Sequence, residues 1–359
     1  MAVDYIYNSM IKKGILTLGV LAAMHAYGQD VNPYTPGLME EGVVYYLPKT
    51  QIEVKVTVTN VKYTPGELCQ YANRYLRMTD VTSTPSEHWT IKSIEVGTIG
   101  VPDKEKAYSI KLKDKMVTSQ VELTENGIIK AINTTAPKEK PKPTEAADVP
   151  AKRVDPRSFM TEEMLLAGST NKMAELIARE IYNIRESKNS LTRGQADYMP
   201  QDGAALKLML DNLETQERAM TEMFSGWTER TDKTFTFYIE PNEEIHDQVV
   251  FRFSKKLGVV KNDNLAGEPI YITVTDETSL PTADEAAKTK KKLEGVIYNI
   301  PGKARISVDS ASKNYFEDEL IVAQFGETEV LIDNLFNKKV NTRVIFDPLT
   351  GGIRKIDKD

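Results

Sequence analysis

One cysteine and three histidines are all that 359 residues offer for thiol or imidazole chemistry. A single cysteine excludes an intrachain disulfide and a cysteine-based zinc cage. Basic residues are not in excess either: 46 Lys and Arg stand against 52 Asp and Glu, a net charge of −6. That balance argues against a nucleic-acid partner held through its phosphates. The apolar run Gly14–Met24 has eleven residues, too few for the roughly 20 of a transmembrane helix, so no transmembrane span is expected. No G-x-G-x-x-G or Walker pattern follows a strand, and no G-x-S-x-G elbow or paired serine and lysine motif is present. No catalytic, metal or cofactor residues are therefore assigned. What remains is 40% apolar and 27% charged residues, the composition of a globular chain long enough, at roughly 150 residues each, for two domains.

The N-terminus carries an address. Lys12 and Lys13 precede the apolar run, and Ala26-Tyr27-Gly28 places small residues before a cut at Gln29. Positive region, short apolar region and small-residue exit together read as a secretory signal peptide over residues 1–28. The nine residues before Met10 are unusual for a signal, so Met10 is a candidate true start. Cys69 lies far from the cut, which leaves no lipid anchor. The expected location is the periplasm or the periplasmic face of the outer membrane of a Gram-negative cell.

Residues 134–157 hold five prolines among charges and alanines, which reads as a semi-stiff linker. It separates an N-terminal module, 38–133, from a C-terminal module, 158–359. In the first, Ile52, Val54, Val56 and Val58 alternate with polar residues and the apolar phase then moves to Val61 and Tyr63. That pattern predicts a half-buried strand with a β-bulge near Asn60. Pro65-Gly66 opens a helix of about 12 residues, with Leu68, Tyr71, Ala72, Tyr75 and Leu76 on one face. Strands follow at Trp89–Val96, Ala107–Leu112, Met116–Leu123 and Gly127–Ile132.

The C-terminal module opens with an antiparallel helical hairpin over residues 171–225. Its first helix shows a stripe of Met173, Leu176, Ile177, Ile181 and Ile184, with Gly194 as the left-handed cap. Asp202 caps the second helix, which carries Leu206, Leu210, Leu213, Met220 and Phe224 with Glu217 in the one missing slot. A carboxylate in an apolar seam needs water or a cation, and Arg185 or Arg193 is placed to supply it. Residues 233–359 then alternate through eight or nine short strands. The fold class is α+β, mostly β: two antiparallel strand-rich modules of sandwich or open-barrel type, the second with the inserted hairpin.

Several blocks fall in order along the chain: Pro65-Gly66 with Tyr71-Ala72 and Tyr75-Leu76, Ile184-Arg185-Glu186-Ser187, Met199-Pro200-Gln201-Asp202-Gly203, Phe224-Ser225-Gly226, Ala323-Gln324-Phe325-Gly326 and Phe346-Asp347-Pro348-Leu349-Thr350-Gly351-Gly352-Ile353. Together they resemble an uncharacterised exported family common in the Bacteroidetes, a domain of unknown function. The resemblance spans nearly the whole chain after the signal. It implies a periplasmic or outer-membrane-associated two-part protein with no assigned catalytic residues, and a Cys69 position that is not a fixed cysteine.

Other constellations have plain readings. Cys69 with His88 or His246 lacks a recognisable catalytic context and reads as a small core residue. Glu243-Glu244-Ile245-His246-Asp247 reads as a solvated acidic turn and Lys288–Lys292 as a solvated basic loop. Asp309-Ser310-Ala311 resembles the O-glycosylation tripeptide of exported Bacteroidetes proteins and makes Ser310, past a strand end, a candidate for modification. The expected function is a non-enzymatic cell-envelope protein, a scaffold or subunit of an outer-membrane-associated assembly such as outer-membrane protein biogenesis or secretion, with an envelope or outer-membrane protein as partner. The alternative is a periplasmic carbohydrate- or small-ligand-binding module using Tyr45, Tyr46, Trp227 or Tyr238 as stacking surfaces; a hydrolase is the third reading.

Overall fold

A computed structural model describes residues 31–33, 43–110, 121–137, 153–200, 202–278, 295–332 and 342–358. Among them the chain forms three antiparallel sheets and four α-helices, a mostly-β α+β fold. Sheet 1 has the order β1 (Val31–Pro33), β3 (Ser86–Ile110), β2 (Val43–Thr64), β6 (Trp227–Ile239). Sheet 2 runs β11 (Asn314–Ile332), β10 (Gly295–Asp309), β9 (Glu268–Asp276), β7 (Ile245–Ser254), β8 (Gly258–Val260). Sheet 3 runs β13 (Ile353–Lys358), β12 (Thr342–Phe346), β5 (Ile129–Ile132), β4 (Val121–Leu123).

The alternation in β2 does what period two dictates. Ile52, Val54, Val56 and Val58 all point inward and are fully buried against Phe251, Ile272, Val274, Ile306 and Val308 of sheet 2. Sheets 1 and 2 thus form a sandwich, with Phe237 of β6 stacked on Phe251 of β7 at 5.2 Å between ring centroids. Such offset aromatic pairs add about 0.5–1.5 kcal/mol beyond the area they bury.

Four strands are too long for one sandwich. β2 and β3 shift register between Tyr46 and Pro48, and β10 and β11 shift between Ile300 and Gly302. Beyond these shifts each hairpin keeps its own pairing but packs on a different sheet. Tyr45, Leu47, Ile110, Val296 and Leu331 pack with Ile129, Ile132, Val344 and Phe346 of sheet 3 in a second core. Pro301-Gly302 and Gly326, residue types common at turns, are bends inside continuous strands, so 296–300 and 305–308 join in β10, and 320–324 and 327–332 join in β11. The segments 89–96 and 107–110 likewise belong to one β3. Residues 111–112 and 116–120 of the expected strands lie outside the described residues.

Side chains stitch the two long hairpins together at the bends. The Tyr45 hydroxyl donates to the Ile297 carbonyl and accepts the Ile297 N–H, both at 3.0 Å. Asn299 Nδ2 donates to the carbonyls of Pro48 and Thr350 at 3.0 and 2.9 Å. Gln324 acts as a peptide group: its Oε1 accepts the Thr50 N–H and its Nε2 donates to the Thr50 carbonyl, both at 2.8 Å. The Thr50 hydroxyl in turn accepts the Ala323 N–H at 2.9 Å. Burial pushes the Tyr45 phenol far up its titration scale, so it stays a neutral donor.

The segments 38–133 and 158–359 interleave. β6 pairs with β2 in unbroken register from Ile52–Ile239 to Thr64–Trp227, and β12 pairs with β5. The bulge expected near Asn60 lies instead on the neighbouring strand. Thr57 faces Ser93 and Val58 faces Ile91, so Lys92 of β3 is the extra residue. The phase change in β2 is absorbed without breaking its pairing to β6.

A buried acceptor left without its donor costs about 1–3 kcal/mol. Asn299→Ala removes the donor of two carbonyls in a residue only 3% exposed. It is expected to lower the unfolding free energy by about 2–3 kcal/mol. Gln324→Ala is expected to cost about 1–2 kcal/mol. Urea titration of both variants checks these values against the parent chain.

Candidate functional site

The helical layer sits at the far end of β2. A 3-10 turn, Cys69–Tyr71, leads into α1 (Ala72–Leu76), which ends at Arg77 in the left-handed region. The face is the expected one: Leu68, Ala72 and Leu76 are buried, with Tyr71 and Tyr75 against them. The helix is shorter than the sequence suggests because the Leu68 N–H is taken by the Met223 carbonyl at 2.8 Å. That tie holds Pro65–Leu68 out of helical geometry.

Next come a 3-10 turn at Pro156–Phe159, capped by Asp155, and α2 (Glu162–Leu165), capped by Thr161. The hairpin is α3 (Thr170–Thr192) and α4 (Gly203–Ser225). Ser169 caps α3 by accepting the Lys172 N–H, Asp202 caps α4 by accepting the Ala204 N–H, and Gly194 takes the positive φ of 69° expected after α3. Ile177, Ile181, Met220 and Phe224 form its core with Leu68 and Met164.

The hairpin is anchored by close backbone contact. A Cβ on Gly66 would land on the Met223 carbonyl, and one on Gly226 on the Thr64 carbonyl. Gly226 also has φ +74°, which side chains disfavour. The Tyr63 hydroxyl, 2.9 Å from both carbonyls, bridges Thr82 and Ser225.

Glu217 finds its cations. Arg185 Nε donates to its Oε1 at 2.6 Å and Lys188 Nζ to its Oε2 at 3.1 Å. Arg193 is at the C-cap of α3. Burial alone would raise the Glu217 carboxyl, but hydrogen bonds and charge from Arg185 and Lys188 outweigh it and hold the group below its ordinary value.

Beside this helix lies a cleft of about 580 Å³ between α4, the first residues of β6 and the segment from Arg153. The Arg153 guanidinium lies 3.6 Å over the Trp227 ring and its Nε donates to Glu222 Oε2 at 3.0 Å. A cation–π contact of this kind contributes about 0.5–2 kcal/mol. Arg218, Glu229 and Arg230 complete the charged lining. A smaller recess of about 370 Å³ adjoins it through Arg153 and Trp227 and reaches Glu67, Asp155 and Arg157.

The other singled-out residues are dispersed. Cys69 is half-buried in the helical layer, His88 lies on β3 opposite Val61, and His246 lies on β7 in sheet 2. His246 is exposed, 3.8 Å from Glu244, whose Oε1 accepts the Asp276 N–H at 2.9 Å. The acidic segment is thus partly strand, and the Glu244 carboxylate holds backbone. Among the described residues no group of three or more His, Cys, Asp or Glu is placed to hold a metal ion, and no helix is long and apolar enough to cross a membrane.

Ser310, just past the end of β10, is buried. It is 8% exposed and opens the tight β10–β11 turn, with its N–H donating to the Lys313 carbonyl at 2.8 Å and its hydroxyl accepting the Ser312 N–H at 3.3 Å. Modification there would require that turn to open. Of the four aromatics, Tyr45 is core, Tyr46 is partly covered beside Gly127, Tyr238 is exposed on β6, and Trp227 lines the cleft. Ala26, Gly28, Gln29 and Lys288–Lys292 lie outside the described residues. Arg153, Arg218, Glu222 and Arg230 carry no sequence signal beyond ordinary surface charge; Trp227 beside them was the only pointer.

The architecture defines a class: a double-core β protein whose two long hairpins support a capped helical hairpin. The sequence matches the family described as Domain of unknown function (DUF4831) over residues 41–354, and the chain belongs to that family. No curated protein and no solved structure matches it.

The Glu217 ion pairs predict a pH signature. A carboxylate held below its ordinary value near 4.5 contributes stability that is complete above that value and is lost as pH falls through the lower folded-state value. The unfolding free energy of Glu217→Gln, measured by denaturant titration, should therefore fall less steeply below about pH 4.5 than that of the parent chain. Identical acid limbs would contradict the assignment.

Proposed function

We propose that the protein is exported by cleavage after Gly28 and serves, without catalysis of its own, as a scaffold or subunit of an outer-membrane-associated assembly in a Bacteroidetes cell. The α3–α4 hairpin is the element that meets its protein partner. One observation carries this reading. The first sixteen residues of α4, Gly203–Arg218, contain Leu206, Leu208, Met209, Leu210 and Leu213, yet none of the sixteen is fully buried. Leu208 is 63% exposed and Met209 37%, and Tyr198 in the connection between the helices is 75% exposed.

A lone exposed leucine is ordinary, but an apolar surplus concentrated on one projecting element is the mark of an interaction surface. The base of the hairpin is fixed by Glu217 with Arg185 and Lys188 and by the contacts at Gly66 and Gly226. An amphipathic helix so anchored offers its free face to a complementary groove at little further ordering cost.

A photo-crosslinking residue at Leu208 in intact cells is expected to capture an outer-membrane protein. The double variant L208E/M209E should lower co-purification of that protein after gentle detergent extraction by about tenfold or more, about 1.4 kcal/mol. Its urea midpoint should stay at the parent value. An uncut chain in the cytosol, or an unchanged yield of partner with the double variant, would refute the proposal.

A further inference from the structure

The cleft at Trp227 has a chemistry that the partner-facing hairpin does not use. Three guanidinium groups, Arg153, Arg218 and Arg230, line it with two carboxylates, Glu222 and Glu229. Arg153 is committed: Glu222 holds its Nε and the Trp227 ring lies under its plane. Arg218 on α4 and Arg230 on β6 have no side-chain partner among the described residues and are exposed. Both line the same cleft, one from the helix and one from the strand. Two unpaired planar forks facing one cleft are suited to bidentate capture of an oxyanion. The fixed Arg153–Glu222 pair keeps the floor ordered, and the lining retains one positive charge in excess over its carboxylates.

We propose that this cleft binds an anionic sugar, with Arg218 and Arg230 gripping its carboxylate or phosphoryl oxygens. The volume of about 580 Å³ falls within the range of small-ligand pockets. Trp227, with Arg153 over its ring, adds apolar surface to the lining, and Thr215 adds a hydroxyl suited to a sugar ring. Both arginines are long, exposed side chains, so the ligand replaces their bulk water with fixed charge and draws them together. The hairpin tip at Leu208 is not part of this lining, so ligand binding stands or falls separately from the partner surface.

The test is calorimetric titration of the full chain with glucuronate, with glucose 6-phosphate and with neutral glucose. At least one of the two anions should bind, and the arm that binds tells carboxylate from phosphoryl. Glucose should give no heat of binding. Arg218→Ala and Arg230→Ala should each weaken the anion about tenfold or more, the loss of one charge-assisted hydrogen-bond pair. Neither variant removes an internal contact, so both should keep the parent melting temperature. Tryptophan fluorescence locates the event. In a Trp89→Phe chain Trp227 is the one remaining tryptophan, and its emission should change on adding the anion. No binding of either anion at millimolar concentration, equal binding of glucose, or undiminished binding by both arginine variants would overturn the proposal.

Discussion

The fold depends on a seam of side-chain-to-backbone hydrogen bonds where two long hairpins cross between cores. β2 and β3 leave one sandwich at Pro48, and β10 and β11 leave it at Gly302. Backbone groups at such shifts lose their ladder partners, and in a buried place each unpaired group is costly. Tyr45, Thr50, Asn299 and Gln324 supply the missing donors and acceptors. The seam therefore permits four strands to serve two hydrophobic cores. It ties the core at Val56 to the core at Ile132.

From that seam the helical layer follows. β2 must run its full length to Thr64 in register with β6 for Gly66 and Gly226 to meet the ends of α4 and β2. Their missing side chains let backbone approach backbone, and Tyr63 caps the junction. The hairpin is thus held at its base, while the distal half of α4 keeps apolar side chains that the fold does not bury. Rigid support with an uncovered apolar face is the arrangement a docking element requires. The Trp227 cleft arises at the same junction, where α4 passes into the edge strand β6.

Local features were legible in the sequence. Period-two alternation marked the buried face of β2, the caps at Asp202 and Gly194 bounded the hairpin, and the lone carboxylate in an apolar stripe pointed to Arg185 or Arg193, of which the fold uses Arg185, with Lys188 beside it. Strand length was not legible. Pro301-Gly302 and Gly326 carry the local chemistry of turns, and only the opposing hairpin, through Asn299 and Gln324, turns them into bends. Nor was the interleaving legible. The proline-rich stretch at 134–157 has linker composition, while the pairing of β6 with β2 spans more than 160 positions (Tyr63 with Thr228). Such pairings are fixed by which faces bury together, not by any short motif. The cleft escaped for a similar reason: Arg153, Arg218 and Arg230 are unremarkable until the fold places them around one tryptophan.

The most direct test of this interleaved architecture is to place a specific protease site between residues 138 and 152, cut it, and weigh the product in solution. β6 adds thirteen paired residues to β2, and sheet 3 takes strands from both fragments. The account predicts that the cut chain elutes as a single particle with the parent mass and unfolds in one transition. Two fragments that separate and melt independently would contradict it.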